Sequence, residues 1–410
     1  MDEVYYFDNA ATTFPKPDKV IEAVTEAMKN GCVNVGRGSY DMAADAARDI
    51  DRLRERILEY SGSTKCGNVV LTPSATIAFN LLLGGINLKK GSIVYVSPFE
   101  HNAVMRVLHA KQQKEEIIIR ELPIDKYSLL IDMDRIEYEF SRYVPDMVCI
   151  SHISNVTGYI LPIKEICESA KKNNEYAVTV VDGCQALGLI SRPLLDNNAV
   201  DYYVFAGHKT LYGPFGIGGI ICHSAYSVDI IKNKESYVPY ICGGTGMDSL
   251  NMDMVQDSPE MLESGSIDIV AAKGLLAAIE IFFQEIPPKE NLLKEIFLKE
   301  IFLKEKIKTE KLTEGLQEID EVHLYIPKNR DEHISIVSFN VEGYSSQETG
   351  MILNDDYMIA VRTGYHCAPL IHNYLKDEMF NGTVRASVGR YTTDEQIRYF
   401  VNAVREIAQE

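Results

Sequence analysis

Between about Lys16 and Cys222, short runs rich in Val and Ile alternate with stretches of helical periodicity, and this alternation restricts the fold more than any other feature of the chain. The runs Ile93 to Val96, Met147 to Ser151, Ala177 to Val181, Tyr202 to Phe205 and Gly218 to Cys222 read as strands covered on both faces. Amphipathic helices, expected over Asp18 to Lys29 and Asp41 to Tyr60, are what covers such strands. The fold class implied is α/β, with a mostly parallel central sheet between helices. Ligands of such sheets sit beyond the carboxyl ends of the strands.

A chain of 410 residues exceeds one comfortable core, so two domains are expected. The alternation stops in a Gly-, Asp- and Met-rich connection between Gly243 and Glu263, and a long helix is expected from Ile267 to Phe283. The division this suggests is a large domain over 15–257 and a smaller α+β domain formed by 1–14 with 258–410. The latter carries the strand-like Ile334 to Asn340, a helix over Ser345 to Asp355, a strand at Ile359 to Val361, a loop with Cys367 and a closing helix from Thr393. Leu-Lys-Glu-Ile-Phe occurs twice between Leu293 and Lys304; a period of five keeps no helix face apolar, so a surface helix is expected there.

The formal charge of −18 argues against nucleic acid or an anionic membrane as a partner, because such a field repels phosphates. An anionic ligand must then be held by local groups. No apolar run is long enough to cross a bilayer, and Met1 to Ala11 carry no basic or apolar leader, so a cytoplasmic protein is the expectation. The eight cysteines, Cys66 among them, are scattered without a CxxC pair, which suggests reduced thiols that mostly serve as small core residues. No metal site is expected.

Two residues narrow the chemistry. Asp182 ends the run Ala177 to Val181, and Lys209 closes the run Tyr203 to Lys209. Singly, such an Asp is a helix cap and such a Lys a solvated loop residue. Together they are how enzymes that use pyridoxal phosphate (PLP) hold their cofactor: the Lys forms the Schiff base, and the Asp keeps the ring nitrogen protonated so that the ring acts as an electron sink. His101, in the loop after Val96 to Pro98, suits stacking on the ring, and Gln185 suits donation to its phenolic oxygen; a helix-capping His and a solvent-facing Gln are the ordinary alternatives. Leu71 to Thr76 precede the helical run Ile77 to Leu83, so the amides of Ala75 and Thr76 and the Thr76 hydroxyl form a phosphate cup, which a capping Ser74 would not exclude. No GxxxxGK[ST] signature is present.

A second constellation spans Ala360 to Pro369. Cys367 stands on a Gly-containing loop beside His366 and five residues after Arg362, where positive groups favour a thiolate nucleophile. A core cysteine, or a zinc site with His366 and His372, are the alternatives.

Tyr6 to Thr13, Glu100 to Ala103, Ser151 to Gly158, Val181 to Gln185, Gly207 to Lys209, Arg362 to Ala368 and Val384 to Ser387 follow one another in an order that resembles the cysteine desulfurases of the class V aminotransferase group. The Cys loop is similar to that of group II, the SUF type, and of the related selenocysteine lyases. The resemblance implies a PLP-dependent transferase of fold type I that converts L-cysteine to L-alanine, with Lys209 as Schiff-base lysine, Asp182 at the ring nitrogen, His101 on the ring face and Gln185 at the phenolate. It further implies phosphate contacts from Ala75, Thr76 and His208, substrate contacts from Arg385, Asn155, Arg362, Asn9 and Ala11, and Cys367 as the nucleophile that becomes a persulfide. A homodimer in which Ser266 reaches the partner's phosphate, and a protein sulfur acceptor, are expected on the same ground. The alternatives within the resemblance are a selenocysteine lyase, another PLP-dependent carbon-sulfur lyase and a catalytically quiet sulfur carrier. The chain departs from the pattern at Ala206, where a Ser hydroxyl is common, at Glu263 to Asp268, and at Tyr365, where a second His is frequent.

Overall fold

The computed structural model describes residues 4–35, 38–63, 68–246, 250–255, 259–284 and 291–409, with main chain alone for Gln284 and residues 291–298. The expected boundary at 257/258 and Cys66 lie outside the described residues.

The runs of Val and Ile form one seven-stranded sheet. Its strands in chain order are β1 (Asn68–Thr72), β2 (Ile93–Val96), β3 (Ile118–Glu121), β4 (Met147–Ser151), β5 (Val178–Asp182), β6 (Tyr202–Ala206) and β7 (Gly218–Cys222), and their spatial order is β1-β7-β6-β5-β4-β2-β3. All adjacent pairs are parallel except those made by β7, which runs against both neighbours. The absence of a polar alternation has its cause in the core: Leu71, Val148, Ile150, Val181, Tyr203 and Phe205 pack on one face. Val70, Val94, Cys149, Val180, Val204 and Ile220 pack on the other. Helices Asp41–Ser61 and Ile269–Gln284 cover the first face, and Ala75–Gly85 and Asn102–Glu115 the second. The edge strand β3 is half-exposed and carries Arg120 and Glu121, charges that discourage pairing with another chain.

A second, antiparallel sheet comprises β8 (Val322–Tyr325), β9 (Ile336–Val341), β10 (Arg362–Gly364) and β11 (Thr383–Ser387), in the order β8-β9-β11-β10. The helices Asn291–Gln317 and Asp394–Gln409 pack on it through Leu312, Leu316, Phe400 and Val404. The N-terminus joins this region: Tyr5–Tyr6 pairs with Ile359–Ala360, and the Ser387 amide donates to the Phe7 carbonyl.

One expectation needs correction. The helix from Asp18 stays regular only to Glu26 and then widens into a π turn, Ala27–Gly31. The repeat near Leu293 lies in the helix Asn291–Gln317, where Lys299, Glu300, Leu303 and Lys304 are exposed, and the helix runs on past the repeat into the core at Thr309, Leu312 and Leu316.

Candidate active site

The carboxyl ends of the parallel strands converge on one cavity of about 210 Å³. Ser151 ends β4, Asp182 ends β5 and Ala206 ends β6, and all three line it. Ala11, Ala75, Thr76, His101, Asn155, Gln185, His208, Lys209, Arg362 and Arg385 line it too. Asn9 lies behind that wall, with its amide donating to the Ser387 carbonyl at 3.0 Å. Ser266 is exposed in the segment before Ile269–Gln284 and does not line this cavity.

Asp182 is placed by the β4–β5 ladder, in which it stands opposite Ser151. Its Oδ1 accepts from the Cys184 amide at 2.9 Å. Gly183 between them admits no side chain, because a Cβ would come within 1.9 Å of the Tyr203 ring. Beneath this floor Glu100 is fully buried, with Oε1 accepting from the Ser97 hydroxyl at 2.5 Å and the Ser151 amide at 2.6 Å. Burial, opposed by these hydrogen bonds and reinforced by Asp182, pushes its carboxyl up to about 8, so it is neutral near pH 7.

Lys209 follows β6 by three residues, and the peptide before it is clamped by the N-terminal segment. The His208 carbonyl accepts from the Lys16 ammonium (2.8 Å), the Thr12 hydroxyl (3.0 Å), the Thr13 hydroxyl (3.2 Å) and the Thr13 amide (3.2 Å). The Thr13 hydroxyl also lies 3.0 Å from the Lys209 carbonyl. Burial brings Lys16 down to about 8. The His208 ring stacks on Phe215 at 4.5 Å, and its buried Nδ1 has no hydrogen-bond partner. Burial, then Lys209 and Lys16, lower His208 to about 4.

His101 both caps a helix and lines the cavity. Its Nδ1 accepts from the Ala103 amide at 3.0 Å at the start of Asn102–Glu115. Burial first, and Lys209 next, bring it down to about 4, so the ring is neutral with its proton on Nε2. The helix Ala75–Gly85 starts in the same double manner: Ser74 caps it by accepting from the Ile77 amide, which leaves the Ala75 and Thr76 amides at its positive end. Gly218 on β7 keeps that end close to the sheet, since a Cβ there would meet the Ala75 nitrogen at 3.2 Å.

The opposite wall comes from the second sheet. Arg362 and Arg385 are cross-strand partners on β10 and β11, and both line the cavity. Like charges directly opposite repel. Arg385, fully buried, is compensated by Asp8 at 2.9 Å and donates to the Asn155 carbonyl at 2.9 Å. Arg362 is exposed and has no hydrogen-bond or ion-pair partner among the described residues. The pair therefore leaves one positive charge for an anion.

Cys367 is exposed, and it and His366 both adopt left-handed backbone, with φ of 58° and 47°. The loop is pinned through main chain: the Asn102 amide donates to the Cys367 carbonyl at 2.6 Å, and Asn155 Nδ2 to the His366 carbonyl at 2.8 Å. The sequence suggested His366 as a positive neighbour of the thiol, and this is corrected. Its ring is buried, lies 2.9 Å from the Thr383 hydroxyl, and is held well below the usual imidazole range by burial and then by Arg385. Both nitrogens of His372 are occupied, by Asp377 and by the Tyr365 carbonyl. Gln185 faces the cavity with Nε2 donating to the Ala10 carbonyl at 2.8 Å. Sequence reasoning missed Lys16, whose partner is 192 residues away. It also missed Cys184, which lines the cavity and whose thiol is pushed far up by burial and then by Asp182.

The family model for aminotransferase class-V matches residues 5–400. A probable cysteine desulfurase of Methanothermobacter thermautotrophicus is 29% identical over 99% of this chain and 95% of its own. One of Pyrococcus abyssi is 29% identical with the same coverage. Among solved structures, the apo cysteine desulfurase of Thermococcus onnurineus superposes with a TM-score of 0.86 at 28% identity, covering 100% of this chain and 95% of that one.

Proposed function

Because the chain belongs to the aminotransferase class-V family, we propose that it is a PLP-dependent cysteine desulfurase, which converts L-cysteine to L-alanine and takes the sulfur onto Cys367. The observation that carries this reading is the pairing of two walls, Asp182 at a strand end and Lys209 just past one on one side and a guanidinium pair on the other, with an exposed thiol in the adjoining hollow. The relatives that match nearly end to end are themselves named probable cysteine desulfurases.

The residues present fit PLP. The Ala75 and Thr76 amides, the Thr76 hydroxyl and the unpartnered His208 Nδ1 suit a phosphate; Asp182 suits a protonated ring nitrogen; the neutral His101 ring suits stacking. Bound there, PLP supplies an electron sink for the charge left when a proton is removed beside the substrate amine. Lys209 would anchor the cofactor, and its amine, lining the cavity, would move that proton. Arg385 and Arg362 hold the substrate carboxylate, with Asn155 fixing the loop beside it. The Cys367 thiolate attacks the substrate sulfur, the carbon-sulfur bond breaks as the sulfur-sulfur bond forms, and carbon takes up a proton in its place. Ser266 completes the phosphate site of a second copy in a homodimer. No helix among the described residues is long and apolar enough to cross a membrane.

The test is the variant Cys367→Ala. Sulfide release from L-cysteine in the presence of a thiol reductant is expected to fall by roughly a hundredfold or more, the scale of removing a nucleophile, with the visible cofactor band unchanged. Unchanged release with every reductant would transfer the assignment to a lyase that eliminates without the thiol.

A further inference from the structure

The inner cavity continues past Thr76, His101 and Ala103 into a second hollow of about 440 Å³, which follows the helix Asn102–Glu115 outward as far as Tyr240. Cys367 is in the wall of this outer hollow and not of the inner one. Sulfur carried on Cys367 is therefore presented to the groove. Its floor is apolar at Val107 and Ala110, while its charge is uneven. Lys111 and Glu115 pair with each other at 2.8 Å and cancel. Arg106 and Lys114 are exposed and have no hydrogen-bond or ion-pair partner among the described residues. Two uncompensated cations lining the groove that also holds Cys367, Arg106 one turn from Asn102 and Lys114 further along the same helix, stand out in a chain of net charge −18.

We propose that this groove receives an acidic polypeptide segment that carries the acceptor thiol, with Arg106 and Lys114 pairing with its carboxylates. The inference rests on the reading of Cys367 as persulfide carrier. In the transfer, the acceptor thiolate attacks the outer sulfur of the Cys367 persulfide, a new sulfur-sulfur bond forms, and the bond to Cys367 breaks with its electrons returning to the Cys367 thiolate. The acceptor's proton goes to solvent, and no outside oxidant or reductant is consumed. Opposite charge at the mouth raises the encounter rate, by about 10-fold or more at low salt, and suppresses basic competitors.

The test uses holoenzyme loaded by one equivalent of L-cysteine and then mixed with either of two short peptides, one with Cys flanked by Asp and Glu, the other with Cys flanked by Lys. Loss of the persulfide from Cys367 is followed by mass. The wild type is expected to transfer to the acidic peptide on the order of tenfold faster than to the basic one, with the ratio shrinking as salt rises. In the double variant Arg106→Glu, Lys114→Glu the ratio is expected to invert, while loading of Cys367 by L-cysteine stays within about twofold. Equal rates for the two peptides in the wild type, or a preference that survives the double variant, overturns the proposal. So does a double variant that keeps the preference but sediments as monomer, which would assign the groove to a second copy. Failure of the wild type to load Cys367 overturns the reading on which the proposal rests, and is seen before any peptide is added.

Discussion

The floor of the cavity and its mouth are built by opposite means. On the floor, Asp182 and Ala206 end strands inside a sheet covered on both faces, and hydrogen-bond ladders fix where they point. At the mouth, Cys367 sits on two successive left-handed residues, a conformation that costs non-glycine residues about 1 kcal/mol or more each. The floor offers its polar groups in one fixed geometry. The mouth is fastened through the carbonyls of Tyr365, His366 and Cys367 and through the buried His366 ring on Thr383, while the Cys367 side chain is exposed in the outer groove. The contrast teaches that, on the proposed function, holding a cofactor and handing on sulfur would make different demands, which a sheet and a loop would meet separately.

The comparison can be broken first at the floor. Lys209→Ala is expected to lower alanine formation from L-cysteine by on the order of a thousandfold, within the range of removing a general base or covalent anchor, as measured by amino-acid analysis. A loss no greater than that of Cys367→Ala would remove the distinction between the two regions. At the junction of the walls, Asp8→Asn leaves the buried Arg385 without its compensating carboxylate. A stability loss of about 3–5 kcal/mol is expected in denaturant titration, because a buried charge is left unpaired.

Beneath the floor, Glu100 gives a pH signature. Its folded pKa of about 8 lies above the ordinary value of 4.5, so between those values the native state holds a proton that the unfolded state has released. Its contribution is present below that window and is lost as pH rises through it. Glu100→Gln, neutral at every pH, is expected to flatten the fall in Tm from about pH 5 to 8, read by calorimetry at several pH values. The smallest effect is expected at the phosphate cup. Thr76→Val removes one hydroxyl while keeping the amides, and PLP affinity should fall by about 3- to 10-fold in a cofactor-binding titration.

Much of this site was legible because burial leaves a mark in the sequence. The runs ending at Asp182 and before Lys209 are apolar on both faces, so a polar residue at their ends had to lie at the ligand edge. The same property hid the direction of β7: a strand buried on both faces reads alike whether parallel or antiparallel. His366 was misread because adjacency to Cys367 says nothing of where a ring points, and this ring points to Thr383 in the core of the second sheet. Lys16 was invisible because its role is a contact across the chain to the His208 carbonyl. At His101 and at the Ala75–Gly85 start the ordinary capping reading holds, and the same residues line the cavity, since a helix start that is capped on one side still offers free groups on the other.

The central claim is that Cys367 receives the sulfur that Lys209 and its cofactor help to release. The most direct measurement mixes holoenzyme with one equivalent of L-cysteine without reductant, and then determines alanine and the mass of the peptide containing Cys367. The account predicts alanine in an amount equal to Cys367 carrying one additional sulfur atom. Alanine formed at the same yield with Cys367 unmodified would contradict it.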